Sequence, residues 1–486
     1  MRKPLLRNAL MRKPLIRQAP SRAAALAAVL AALPCGLAQA DAERLEADLQ
    51  ERFAAAGEFS VGEVSDSLLG GETRAEDLSL VDADGSRLDV ARYVVEGDYE
   101  APEAIVMEGL RLERAGRDAG VLTADRLRLD GPGGPLPWGE GRLGDAAFEA
   151  DALSAEGLRL ALASAAITSA DGKKTLSPQA PTSGWLSAQR LEAEGLTATG
   201  VGRLEMSGIE GHAEGLEDVG AGDLTLASLS LEGLSHPPGD PEATTLDRLE
   251  LNDLSIVADH LVADLARLSV DGDMHDGEGS ARLEALELDL ARMIELAPAE
   301  ERTPLRLASN VLTGGSGQLR LDAEFDGGWE ALGQKSLLSG DGTITAADAF
   351  RWTFDSELPV RLPDGVEPAA YLAEMTDLSG VTLLGGRIET TLVELGLFGR
   401  MPAVMAASRG VSEADFLEQA RTQAKGFGTM LGPEFGRLLD GLVDMMEGRA
   451  SELEVALTLP PESDADVLAA DPLGLPSKLS MSVETR

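Results

Sequence analysis

Along most of this chain, apolar and polar residues alternate with a period of two. Between Leu186 and Gly272 one phrase keeps returning: Leu alternating with polar residues, then Gly or Asp, then Leu or Ile. It stands at Leu191–Leu196 (LEAEGL), Leu204–Ile209 (LEMSGI), Leu229–Leu234 (LSLEGL) and Leu249–Leu254 (LELNDL). A period of two sends successive side chains to opposite faces, so each phrase predicts a strand with one leucine face and one polar face. Similar runs lie at Ile105–Leu112, Leu122–Leu129 and Leu153–Leu162. In Ser67–Tyr93, Leu78 and Leu80 are followed by Asp84-Gly85 and then Leu88 and Val90, the pattern of a β-hairpin. The Gly or Asp inside the phrase packs little and loosens a strand. Gly233, Asp253 and Gly272, about twenty residues apart, therefore read as bulges or sharp bends, one hairpin per repeat. Leu224, Leu229 and Leu234 also fall five apart, the spacing of a β-solenoid with short faces. The Leu-x-Leu pairs and irregular gaps favour hairpins.

Two regions depart from the period of two. In 41–57, Leu45, Leu49 and Phe53 are spaced four apart, one face of a short helix that Gly57 ends. In 401–448, Ser412-Glu413-Ala414-Asp415 resembles a helix cap. Phe416, Ala420, Ala424, Phe427 and Leu431 then form one helical face. Gly432-Pro433 breaks the helix, and Phe435, Leu438, Leu439, Leu442 and Met446 form a second face. This pair is the one strong helical signal after residue 56. Ala281–Ile294 fits strand or helix. Strands are expected at Gly317–Phe325, Gly340–Phe350, Arg351–Leu362, Gly386–Leu395, Leu453–Leu459 and Leu479–Val483. The expected fold is mainly β: an elongated repetitive antiparallel sheet (groove, sandwich or solenoid-like) with a short N-terminal helix and a C-terminal helical pair. Its expected parts are a signal peptide at 1–40, the helix at 41–57, a repetitive β body at 58–330, its continuation at 331–400, the helical pair at 401–448 and terminal strands at 449–486.

Composition sharpens this. Of the 486 residues, 44% are hydrophobic but only 3% aromatic, so any core is built of Leu, Ala, Val and Ile. Arg17 and Arg22 precede the apolar run Ala23–Leu33, which is too short to stay in a bilayer, and Ala38-Gln39-Ala40 offers a cleavage site. The expectation is export to a periplasm, cleavage after Ala40 and no stable membrane span afterwards; an uncleaved anchor is the rival. MRKPLLRNAL is nearly repeated as MRKPLIRQAP, so Met11 is an alternative start. Cys35 follows Pro34 and does not suit a lipoprotein site. As the chain's one cysteine, it would leave with the signal, so core area and strand pairing, not disulfides, carry stability. Residues 1–40 hold seven of the 42 Lys and Arg and no acid, so the remainder sets 35 basic residues against 83 acidic ones, about −48. Such a surface argues against nucleic acid and against docking on anionic headgroups.

Candidate chemistry is sparse. No two of His212, His236, His260 and His275 fall within five positions, and no nucleophile elbow or phosphate-binding loop is present. Asp271, Asp273, Asp276 and Glu278 form a candidate calcium loop, weighed against a solvated turn. Asp341-Gly342-Thr343-Ile344 with Asp348 resembles half of such a loop. A hydrolase with a scattered site remains a third reading, without motifs to support it.

The run DSLLGGETRAEDLSLVDADGSRLDVARY at Asp66–Tyr93, with the later Leu-x-Leu-x-Gly-Leu phrases, resembles the AsmA-like family of envelope proteins over roughly residues 60–330. The resemblance implies a long curved sheet with an apolar concave face that moves or holds lipid between membranes, or aids outer-membrane assembly. Relatives keep a membrane anchor, which this chain is expected to lose. One-faced leucine strands must cover their apolar side with another sheet, a partner or lipid. The expected function is a non-catalytic groove for an apolar ligand, lined by Leu191, Leu196, Leu229, Leu231, Leu234, Leu249, Leu251 and Leu254. The alternative is a structural or protein-interaction repeat with a closed core and a partner-docking helical tail. Lipid or an envelope protein is the partner each implies.

Overall fold

Leu45, Leu49 and Phe53, the residues spaced four apart, lie on one side of a helix and are buried. The computed structural model describes residues 38–486 apart from 54–56, 68–70, 83–84, 116–119, 137–149, 163–182, 198, 217–219, 236–244, 273–276, 334, 363–380 and 465–478. The expected signal peptide thus lies almost wholly outside the described residues.

Helix α1 (Ala38–Phe53) opens the structure. Two short strands follow, β1 (Gly57–Ser60) and β2 (Val64–Asp66), both paired to β3 (Glu72–Asp82). From there the chain runs as a meander in which each strand pairs antiparallel with the next. It passes through β4 (Arg87–Gly97), β5 (Pro102–Arg114), β6 (Gly120–Asp130) and β7 (Ala150–Leu162). It continues through β8 (Ser183–Thr197), β9 (Gly200–Leu216), β10 (Gly220–Ser235), β11 (Arg248–Ala258), β12 (Val262–Asp271) and β13 (Glu278–Asp289). After helices α2 (Leu290–Leu296) and α3 (Arg302–Thr313) come β14 (Gln318–Leu332), β15 (Lys335–Ala346) and β16 (Phe350–Arg361). The sheet then closes with β17 (Thr382–Leu383) and β18 (Arg387–Glu394) beside β16. Three helices follow: α4 (Leu397–Arg409), α5 (Glu413–Leu431) and α6 (Pro433–Met446). The last strands are β19 (Glu452–Thr458) on β18, β20 (Ser463–Asp464) on β17 and β21 (Ser480–Thr485) on β19. From β3 to β21 this is one open, elongated sheet, roughly 75 Å wide at 4.8 Å per strand step. The solenoid alternative is excluded, because from β3 to β16 each strand pairs antiparallel with the strands before and after it in the chain.

Two helical segments differ from the sequence expectation. Leu290–Leu296 and Arg302–Thr313 form α2 and α3, where strand or helix was expected as far as Ile294 and nothing definite beyond it. Ala281–Ile294 turns out to be both elements: the strand stops at Asp289, whose carboxylate accepts from the Arg292 amide at 2.9 Å and caps α2. The tail is a helical triplet, because α4 precedes the expected pair. Its capping group comes from the preceding strand: the Glu394 carboxylate accepts from the Phe398 and Gly399 amides at 2.9 and 3.0 Å. Helix α5 starts as expected, with Ser412 Oγ accepting from the Asp415 amide at 3.1 Å.

A regular device bends the sheet. In each of β3 to β13 the apolar positions step by two, then by three, then by two again. On β4 they are Leu88, Val90, Tyr93 and Val95; on β10 they are Leu224, Leu226, Leu229 and Leu231. At each three-residue step both intervening side chains face the polar side. The steps align across the strands on Asp77, Ala91, Gly109, Asp125, Gly157, Gln189, Gly208, Ala227, Asp253, Ala266 and Ala285. Alternate members (Asp77, Gly109, Gly157, Gly208, Asp253 and Ala285) have left-handed backbones, with φ between 52° and 65°. A second line lies six residues along each strand, about 20 Å away. It contains left-handed Gly97, Gly131, Gly195, Gly233 and Gly272.

Gly233, Asp253 and Gly272 are therefore bends, but Gly233 and Asp253 are not bulges. The pairings on either side of each keep one register, with only the crease pair missing from the ladder. A true register shift occurs at Ala285, between Leu283 and Leu286 on β13. The two-three-two stepping also accounts for the leucines five apart.

The creases keep leucines on one face and charges on the other. Along one crease the polar face carries Glu76, Arg92, Glu108 and Arg126 on successive strands, with Arg92 and Glu108 3.0 Å apart and Glu108 and Arg126 3.6 Å apart. Glu156 and Arg190 continue the row at 3.7 Å. Such exposed pairs stabilise little singly, but they mark the solvent side. The apolar side is covered unevenly. At the N-terminal end, α1 seals it with Leu45 and Leu49 against Leu78, Leu80, Tyr93 and Leu129. At the C-terminal end, α4 and α6 cover Leu453, Val455 and Val483. Among the described residues no helix is long and apolar enough to cross a membrane.

Candidate apolar ligand site

Between these two covered ends, on β7 to β11, no helix among the described residues lies on the apolar face. Among the described residues, the buried members of its central cluster are Ala188, Ile209 and Leu226. Leu160 and Leu186 remain 38% and 42% exposed. This part of the face is hollowed into a trough of about 380 Å³. Its floor is a run of small residues placed opposite one another: Gly184 pairs with Ala213, Ala213 with Gly222, and Gly222 with Ala258. Gly222 cannot carry a larger side chain without moving its neighbour, since a Cβ there would lie 2.3 Å from the Ala258 Cβ. Its walls are Leu160, Leu186, Leu224, Ile256 and Leu261. Small residues at one register position sink the floor, while leucines two residues along the strands stand up around it.

Leu261 belongs to the turn between β11 and β12. On the far side of that turn His260 borders a second hollow of about 420 Å³, bounded by Leu290, Met293, Ile294, Leu305 and Leu312 of α2 and α3. The two hollows thus adjoin at one turn. Strand spacing puts about 19 Å between β7 and β11, more than the ~15 Å thickness of one bilayer leaflet's hydrocarbon. Among the described residues no Lys or Arg lines either hollow; the ionisable lining residues there are His212, Asp223, His260 and Glu301. His212 Nδ1 and the Asp223 carboxylate lie 2.8 Å apart, a pairing that fixes the imidazole.

The eight leucines expected to line a groove all sit half-buried on this same apolar face. Leu229 opposes Leu251, Leu231 opposes Leu249, and Leu254 opposes Leu226. Leu191 opposes Met206, while Leu196 and Leu234 both oppose Val201. Leu196 packs against the N-terminal core, and Leu229, Leu251 and Leu254 against the central cluster. None of the eight lines the trough, which is displaced toward the other end of the strands. The signal for it was there in Gly184, Gly211, Ala213, Gly222 and Ala258, but small residues read as turns until the register sets them side by side.

The candidate calcium loop is not assembled by the described residues. Asp271 is paired with Arg248, and Glu278 begins β13; Asp273 and Asp276 lie outside the described residues. Among those described, no group of three or more His, Cys, Asp or Glu is arranged to hold a metal ion. The second candidate is overturned by its geometry: Asp341 and Thr343 lie mid-strand in β15, paired to Asp326 and Glu324 on one side and to Asp355 and Thr353 on the other. Strand backbone cannot wrap a cation as a loop does. His236 and His275 lie outside the described residues. Comparison with family models and with curated proteins finds no match.

Proposed function

We propose that this protein is an exported, periplasmic, non-catalytic β-groove protein that binds or carries an apolar ligand, the acyl chain of a lipid, in maintenance of the cell envelope. The observation that carries this reading is the trough on β7 to β11. It is apolar and open, and neither helical layer covers it. Closing it within the monomer would remove from water the exposed two-fifths of Leu160 and Leu186, worth about 0.6–1.2 kcal/mol each; an acyl chain laid across the strands supplies that burial instead. The AsmA-like resemblance at Asp66–Tyr93 points the same way, and membership of that family is part of the proposal.

The test is binding of a fluorescent long-chain acyl lipid to delipidated full-length protein, alongside Leu186→Glu. Leu186 is exposed enough for the variant to fold. The expected result is saturable binding that the variant weakens about tenfold or more. No binding by the unmodified chain, or equal binding by the variant, would overturn the proposal.

A further inference from the structure

We infer that the tip of the α5–α6 hairpin is a membrane-contact surface, which inserts Phe427 and Met430 into the headgroup–acyl boundary of a lipid bilayer. Helix α5 outruns its cover. Phe416 and Ala424 are buried, yet Phe427, on the same helical face by spacing, is 49% exposed, and Met430 is 78% exposed. The hairpin is held tight at this end: a Cβ on Gly428 would come 2.8 Å from the Gly436 Cα, so the two backbones touch there. The tip is therefore a fixed projection. Leu438 packs against the C-terminal core, and Pro433 lies five residues, about 7 Å, before it along α6. That reach matches the 5–10 Å depth occupied by interfacial apolar side chains.

Charge selects the partner. Residues 419–433 contain no Asp or Glu, in a chain that holds 83. Lys425 lies two residues, about 3 Å of helix rise, before Phe427, with no carboxylate partner among the described residues. The net charge of −41 repels the rest of the surface from lipid phosphates, whereas this end of α5 carries a cation and two exposed apolar side chains within six residues, the composition of an interfacial anchor. The inference does not rest on the trough, since vesicle attachment and ligand binding are read separately.

The experiment is flotation of the full chain with vesicles of phosphatidylcholine containing a minority of phosphatidylglycerol. The wild type is compared with Phe427→Ser/Met430→Ser, Lys425→Glu and Leu332→Ser. Leu332 is 52% exposed on the sheet and serves as a control for scattered surface leucines. The double variant is expected to partition about thirtyfold more weakly with unchanged circular dichroism and melting. Lys425→Glu should weaken partitioning about fivefold, and Leu332→Ser should leave it unchanged. Wild type that does not float, a double variant that floats equally, or equal loss in Leu332→Ser would overturn the inference. So would a concentration-dependent dimer, in place of vesicle binding, that the double variant abolishes; the tip would then belong to a second copy of the chain.

Discussion

Gly208 and Gly211 lie three residues apart on β9, and the crease makes opposite demands on them. Gly208 sits on the crease at φ +60°, whereas Gly211 has ordinary strand backbone. An alanine at 208 incurs the left-handed penalty of about 1–2 kcal/mol, offset by about 0.4–1 kcal/mol from the stiffer unfolded chain. Its Cβ would also meet Gln189 Cδ at 2.5 Å, a flexible group that swings aside. The net expectation for Gly208→Ala is a loss of about 1 kcal/mol. At 211 only the entropic gain applies. The Cβ would lie 3.1 Å from Leu186 Cδ1, which is exposed and yields, so Gly211→Ala should be neutral or slightly stabilising. Hydrogen exchange of the β8–β10 amides reads this locally, as suits a long sheet that opens in parts. Gly208→Ala should speed exchange about fivefold there, and Gly208→Asn, which tolerates the left-handed region, should fall between the two. Equal exchange in Gly208→Ala and Gly211→Ala would refute the claim that left-handed residues make the crease.

Two further outcomes follow from other parts of the fold. The Tyr99 hydroxyl donates to Asp48 of α1 at 2.8 Å, and burial together with that hydrogen bond holds its proton well above the usual phenol range; burial does the same for Tyr93. Because these folded pKa values are raised, their contribution is fully present below the unfolded phenol value near pH 10 and is lost as pH rises beyond it. The N-terminal core should therefore loosen in alkali, visible as cooperative tyrosine ionisation, and Tyr99→Phe should lower its stability by about 1 kcal/mol at neutral pH. Glu394→Ala should free the Phe398 and Gly399 amides to exchange and cost about 1 kcal/mol, with Glu394→Gln retaining most of the cap.

Much of the fold was legible before any coordinates. Period-two leucines gave strands, since alternation is a property of each strand alone. Leu45, Leu49 and Phe53 gave α1, and Ser412 gave the start of α5. Helix α4 was less legible because its cap and cover come from outside: it takes its cap from Glu394 on β18, and its Phe398 is buried by residues of β18, β19 and α6. Phe427 was placed by spacing on a packed face, but α6 and α4 do not cover that end of α5. The eight expected groove leucines lie on the apolar side, and none of them lines the trough.

By itself, then, the sequence determined that this chain makes one-faced antiparallel strands, where they bend, and that its polar side is strongly acidic. These depend on the period of side chains and on residues such as Gly233 and Asp253 that accept a left-handed backbone. Tertiary structure alone decided which glycines fall on which crease, that Gly184, Ala213, Gly222 and Ala258 line up into a floor, and that helices seal both ends of the apolar face but not its middle. The physical reason is register: a strand's pattern fixes which face a side chain takes, whereas its neighbours on that face are fixed only when distant strands pair.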